Sequence, residues 1–149
     1  MTDFSGFSAP AFLNGEVQNF EFDGEGISVL AFFPGAFTGV CTEEMCRFRD
    51  SMSEFSDLDA EVIGISVDTP FALQAFADQN DLNFTLVSDT DAEIADEYGV
   101  KTEFPDLGYS IAERAVFLVK NGEVKYSQVM EDIGEIPDMD KLKQEISDL

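Results

Sequence analysis

The chain has 149 residues, 44% of them hydrophobic, with fifteen Phe and no Trp or His, and its 31 acidic against 8 basic residues give a formal net charge of −23. That length suits one domain, residues 1–149, whose core needs no disulfide staple or structural metal, and the aromatic content excludes an acidic disordered tail. With no basic stripe to release counterions, binding to nucleic acid or to an anionic membrane is disfavoured.

The opening MTDFSGFSAP has neither the basic start nor the apolar stretch of a signal peptide. Pro34 and Gly35 interrupt the longest apolar run well short of the ~20 residues that cross a bilayer, so a soluble, cytoplasmic protein is expected. Glu16 to Phe22 alternates polar and apolar residues like a half-exposed strand, and Gly24 with Gly26 turns the chain into Ile27 to Phe33, an apolar run that predicts a buried strand. The segment PGAFTGVC, Pro34 to Cys41, follows at once. From Cys41, the apolar positions Met45, Phe48, Met52 and Phe55 recur at spacings of four and three, the stripe of a helix facing a core.

Val62 to Val67 reads as a second buried strand, and Thr69-Pro70 opens a helix through about Asn80, with Thr69 as N-cap and Pro70 at the first helical position. Phe84 to Val87 is a short strand, Asp89 to Tyr98 a short helix stopped by Gly99, and a loop surrounds Pro105. Arg114 to Val119 and Glu123 to Val129 form a hairpin across Asn121-Gly122, and Met139, Leu142, Ile146 and Leu149 mark the apolar face of a last helix. Strands alternating with helices, then a hairpin and a helix, predict an α/β domain of thioredoxin-like fold, its mixed sheet flanked by helices.

In the first turn of its helix, Cys41 meets unpaired backbone N–H groups and the positive end of the helix dipole, which favour thiolate over thiol. Thiolate attacks a peroxide oxygen to give sulfenic acid, and the P-x-x-x-T-x-x-C spacing of Pro34, Thr38 and Cys41 after an apolar strand-like run is the signature of a peroxide-reducing cysteine. Thr38 can offer a hydroxyl to charge developing on the leaving oxygen, while Pro34 shields the sulfur and fixes the loop. Arg47 and Arg49 lie on the helix beside acids, whereas Arg114 begins an apolar strand, an expensive place for a cation without an anion beside it. Arg114 is therefore the expected thiolate partner.

Cys46 has two readings. On an ideal helix it lies ~7.5 Å along the axis and ~140° around from Cys41, beyond the ~7 Å Cα separation that a disulfide tolerates. Resolving an oxidised Cys41 then requires the first turns to unwind; otherwise Cys46 packs as a small, half-buried residue and an external thiol does the reducing. Asp89, Asp91 and Glu93 have the look of half a calcium loop, but Ile94 stands where that turn needs glycine, so a solvated helix start is expected. With no His and two Cys, neither zinc, haem nor Cys-His hydrolase chemistry fits, and no cofactor or metal is expected. The Phe residues read as core packing. Acids spread over the whole chain, among them Glu43, Glu44 and Asp89 to Glu97, read as a solvated surface whose self-repulsion is screened at high salt, pointing to a halophilic source.

FFPGAFTGVCTEEMCRFRD, with VIGISVD, FTLVSD, EYGV and RAVFLVKNGEV downstream, resembles the peroxiredoxin family along nearly the whole chain. The FFP-x-AFTG-x-C wording is similar to the alkyl hydroperoxide reductase E subgroup, often one-cysteine enzymes; a second cysteine five positions on is similar to the bacterioferritin-comigratory-protein subgroup, where it resolves. The resemblance implies a thiol peroxidase for hydrogen peroxide or organic hydroperoxides, with Cys41 peroxidatic, Pro34 and Thr38 positioning peroxide, Arg114 at the head of the late strand and Glu44 holding arginine. It also implies Cys46 as the resolving thiol, a thioredoxin-like or small-thiol reductant, and a monomer or homodimer. A redox sensor or a non-enzymatic thioredoxin-like interaction module is the rival reading.

Overall fold

The computed structural model describes residues 6–104, 108–132 and 134–149. The start of the chain and the loop expected at Pro105 lie wholly or partly outside them. The elements are β1 (Phe7–Leu13), β2 (Glu16–Phe22), β3 (Ile27–Phe32), α1 (Gly39–Asp50), α2 (Met52–Asp57), β4 (Ala60–Ser66), α3 (Pro70–Asn80), β5 (Thr85–Ser88), α4 (Glu93–Glu97), β6 (Lys101–Glu103), β7 (Ser110–Ala112), β8 (Ala115–Lys120), β9 (Glu123–Val129) and α5 (Met139–Ser147).

Seven strands form one mixed sheet in the order β2-β1-β5-β4-β3-β8-β9, and β6 pairs with β7 separately. The central β5, β4 and β3 run parallel, while β1 and β8 flank them antiparallel. This is the α/β thioredoxin-like fold with helices on both faces of a mixed sheet. Side-chain alternation sorts the core: Val29, Ala31, Val62, Val116 and Leu118 point to α1, α2, α3 and α5, whereas Leu30, Phe32, Ile63, Ile65 and Phe117 point to α4 and the small sheet. Burying each large apolar side chain contributes about 1.5–3 kcal/mol. Gly64 sits under α1 for lack of space, since a Cβ there would lie 2.7 Å from Leu86 Cδ2 and 3.5 Å from Met45 Sδ.

Thr69 caps α3 as expected, accepting the Ala72 N–H at 3.2 Å, and Asn121 and Gly122 turn the β8–β9 hairpin at φ 50° and 81°. Other expectations are corrected. The stripe from Cys41 to Phe55 is two helices: Ser51, at φ −101° and ψ 2°, sends its N–H to Arg47 and Phe48 carbonyls and breaks the run. Strand β1 is an addition to the expected elements: Pro10 lies within it, opposite Asn19 of β2, and the ladder to β5 uses only Ala11 and Phe12. Asp89 is buried, and its carboxylate accepts the Ile94 and Ala95 N–H groups at 3.1 and 3.0 Å, so it caps α4 instead of being solvated. Leu149 falls outside α5 and is exposed. Phe37 and Phe71 are exposed, unlike the Phe residues packed in the core.

Candidate active site

The parallel strands β3 and β4 end at one edge of the sheet, where antiparallel β8 begins with Ala115 opposite Phe32. That register brings Arg114, just before β8, beside the loop that leaves β3 at Phe33 and Pro34. Ligand sites in open α/β sheets gather at this carboxyl edge.

The loop delivers the chain to α1 at Thr38, the N-cap residue, with Cys41 third in the helix. Thr38 makes no side-chain cap: its hydroxyl donates to Gly35 O at 2.9 Å, while its carbonyl accepts from the Thr42 N–H at 2.9 Å and the Thr42 hydroxyl at 2.7 Å. The Thr38 oxygen therefore presents lone pairs in this state, rather than the donated proton anticipated from sequence, and its side chain leaves the first-turn N–H groups free of a cap.

Cys41 is 1% exposed, Arg114 2% and Glu44 0%. Arg114 Nη2 donates to Cys41 Sγ at 3.2 Å and Nη1 to Glu44 Oε1 at 2.7 Å, so one guanidinium spans the thiol and the carboxylate. Charge-assisted bonds of this kind favour the ionised partner. Burial works against the Arg114 charge, but Glu44 and Cys41 together hold its pKa above the ordinary value. Glu44 is no surface acid: burial pushes its pKa up from 4.5 to about 7, against the lowering pull of Arg114, and its buried Oε2 has no hydrogen-bond partner among the described residues. The helix arginines pair elsewhere, Arg47 with exposed Glu43 and Arg49 with Asp50 and the Asn80 carbonyl.

Pro34, Thr38, Cys41 and Arg114 thus meet around an open pocket of about 420 Å³, walled also by Val40, Asp68 and a stacked Phe104–Tyr109 pair. Cys46 is elsewhere, half-buried with Sγ 3.9 Å from Asn80 Oδ1. Both cysteines are free, and α1 is continuous between them. Asp68 went unnoticed in the sequence, although Ser66 and Asp68, polar residues closing the buried VIGISVD run, were the available signal. Among the described residues, no three His, Cys, Asp or Glu gather as metal ligands would, and no helix is long and apolar enough to cross a membrane.

The family model described as "AhpC/TSA family" matches residues 2–127. The chain is 36% identical over 128 residues to "Peroxiredoxin Bcp" of Escherichia coli strain K12, covering 85% of this chain and 81% of that protein. Among solved structures, peroxidoxin BcpB from Mycobacterium tuberculosis superimposes with a TM-score of 0.84 at 26% identity, covering 99% of this chain and 96% of the other. Enterococcus faecalis AhpC gives 0.86 at 23% identity, covering 98% and 89%, a likeness of fold.

Proposed function

The chain belongs to the AhpC/TSA family, the peroxiredoxins, and from that premise we propose that it reduces hydrogen peroxide and organic hydroperoxides through Cys41 in the reducing cytoplasm. The observation that carries this reading is the 3.2 Å contact of a buried guanidinium with a buried thiol at a helix N-terminus.

The Cys41 thiolate attacks the near oxygen of the peroxide: an S–O bond forms, the O–O bond breaks, and the departing alkoxide or hydroxide takes a proton to leave as alcohol or water. Arg114, held by Glu44, stabilises the thiolate and the charge passing to the leaving oxygen. The Thr38 oxygen accepts from the peroxide O–H, and Pro34 keeps bulk water from the sulfur. The sulfenic acid then condenses with the Cys46 thiol, releasing water and giving a disulfide, which a thioredoxin-like dithiol reduces by exchange. That step requires α1 to unwind between residues 41 and 46. A one-cysteine cycle, in which an external thiol attacks the sulfenic acid, is the second reading, favoured by the continuous helix that separates the thiols.

One equivalent of hydrogen peroxide, with intact mass and free thiols followed in wild type, Cys41→Ser and Cys46→Ser, tests the proposal. Loss of both thiols and two mass units in wild type, a trapped sulfenic acid in Cys46→Ser and inertness of Cys41→Ser are expected. One thiol lost with one oxygen gained in wild type selects the one-cysteine cycle, and a Cys41 that stays reduced rejects peroxidase function. We propose further that the net charge of −23 makes the fold salt-dependent; unchanged circular dichroism on dialysis from molar salt to dilute buffer would remove that idea.

A further inference from the structure

The turn from Pro34 to Thr38 carries strain of its own. Phe37 adopts φ +67°, a region costly for a bulky residue, and the residue is 52% exposed. A distant anchor answers this strain: the Ala36 N–H donates to Asp68 Oδ2 at 2.7 Å. The same oxygen accepts the Ser66 hydroxyl at 2.7 Å, Ser66 Oγ takes the Asp68 N–H at 3.3 Å, and the Ser88 hydroxyl donates to Asp68 O at 2.6 Å. Asp68 is thereby fixed, main chain and side chain, to the ends of β4 and β5, the rigid middle of the sheet.

Electrostatics alone argue against an anion here. Asp68 lines the same pocket as Cys41, where a carboxylate raises the cost of the thiolate. Two short charge-assisted bonds to one oxygen offset that cost by defining the loop. We propose that Asp68 is a positioning residue for peroxide reduction, its carboxylate holding the Ala36 N–H and with it the Pro34–Thr38 turn in the shape that sets Thr38 and Pro34 over Cys41. This rests on the reading of Cys41 as the thiol that attacks peroxide. Asp68 acts on the site for the incoming oxygen, while Arg114 and the helix terminus govern the thiol, so the two can be separated.

The test uses the full-length protein in a Cys46→Ser background, where oxidation reports Cys41 alone. Two rates are measured for each variant: Cys41 oxidation by hydrogen peroxide and Cys41 alkylation by iodoacetamide, which needs thiolate but no peroxide site. Asp68→Ala slows oxidation by about 10- to 100-fold and leaves alkylation within about threefold, since misplacing a positioned group costs rate at that scale. Asp68→Asn, whose side-chain oxygen can still accept from both Ala36 and Ser66, recovers most of the oxidation rate. Ala36→Pro removes the donor from the loop side, repeats the selective loss, and decides the matter should Asp68→Ala not fold. Oxidation at the parent rate in the variants that lack the bond, or a parallel fall in oxidation and alkylation, overturns the role of Asp68. A parent protein whose Cys41 is not oxidised rapidly overturns the peroxidase reading instead.

Discussion

The two thiols of α1 lie on one helix and in unlike surroundings. Cys41 is enclosed, faces a guanidinium at 3.2 Å and borders a pocket, whereas Cys46 is half-buried and rests against the amide oxygen of Asn80 at 3.9 Å. On the proposed reading Cys41 is the nucleophile, and the guanidinium beside it is placed to stabilise negative charge on sulfur before the substrate arrives, at the expense of burying a cation and an acid. A thiol that reacts only after the helix opens needs no such surroundings in the closed state. The static structure therefore speaks directly about Cys41, while the role of Cys46 turns on motion.

The contrast is broken most completely at Arg114. Arg114→Met removes the charge at Sγ and leaves Glu44 buried beside an apolar chain. Oxidation of Cys41 is expected to slow by about 100- to 1,000-fold, the scale on which a preorganised charge-stabilising donor acts. Folding is expected to weaken by about 3–5 kcal/mol at pH 8, where Glu44 would have to stay ionised without a partner. Denaturant melts should show part of that loss recovered near pH 5, as Glu44 takes up a proton. An equal loss relative to wild type at both pH values would mean that the carboxyl does not depend on Arg114.

Glu44 sharpens the comparison through pH. Its folded pKa of about 7 lies above its ordinary 4.5, so the fold binds the proton more tightly than the unfolded chain does. The associated stabilisation is complete below pH 4.5 and is lost as pH rises to about 7, an amount of about 3 kcal/mol. Glu44→Gln cannot titrate, so its stability curve should lack this decline while the surface acids contribute equally to both proteins. Parallel curves for the two proteins across that range would contradict a raised Glu44 pKa.

Much of this site was legible because local chemistry wrote it. PGAFTGVC after an apolar run fixes a loop and a helix start, and Arg114 ahead of an apolar strand needs an anion nearby. Glu44 shows where such reading stops: next to Glu43 in an acidic chain it reads equally as surface, and only the packing of β8 against β3 buries it beneath Arg114. Asp68 is invisible for a similar reason, since its hydrogen bond to Ala36 spans 32 residues and depends on the parallel register of β3 and β4. The break at Ser51 and the strand through Pro10 were obscured because periodicity and propensity are local, while pairing partners are not.

The mildest way to shift the comparison lies at Asn80. Arg49 Nη1 donates to the Asn80 carbonyl at 2.6 Å, the Asn80 side chain donates to Phe76 O at 3.0 Å, and Cys46 rests against its amide oxygen, so this end of α3 holds the face of α1 that carries Cys46. If Cys46 resolves Cys41, that contact must open. Asn80→Ala keeps the backbone carbonyl for Arg49 but removes the side-chain contact, a change of about 1 kcal/mol, or about fivefold in the opening equilibrium. Disulfide formation after a single peroxide pulse should quicken by that factor, with the preceding oxidation of Cys41 unchanged, as mass-resolved quenching would show. An unchanged disulfide rate would place the barrier in the first turn of α1, at Thr38 and Thr42, and not at its docking on α3.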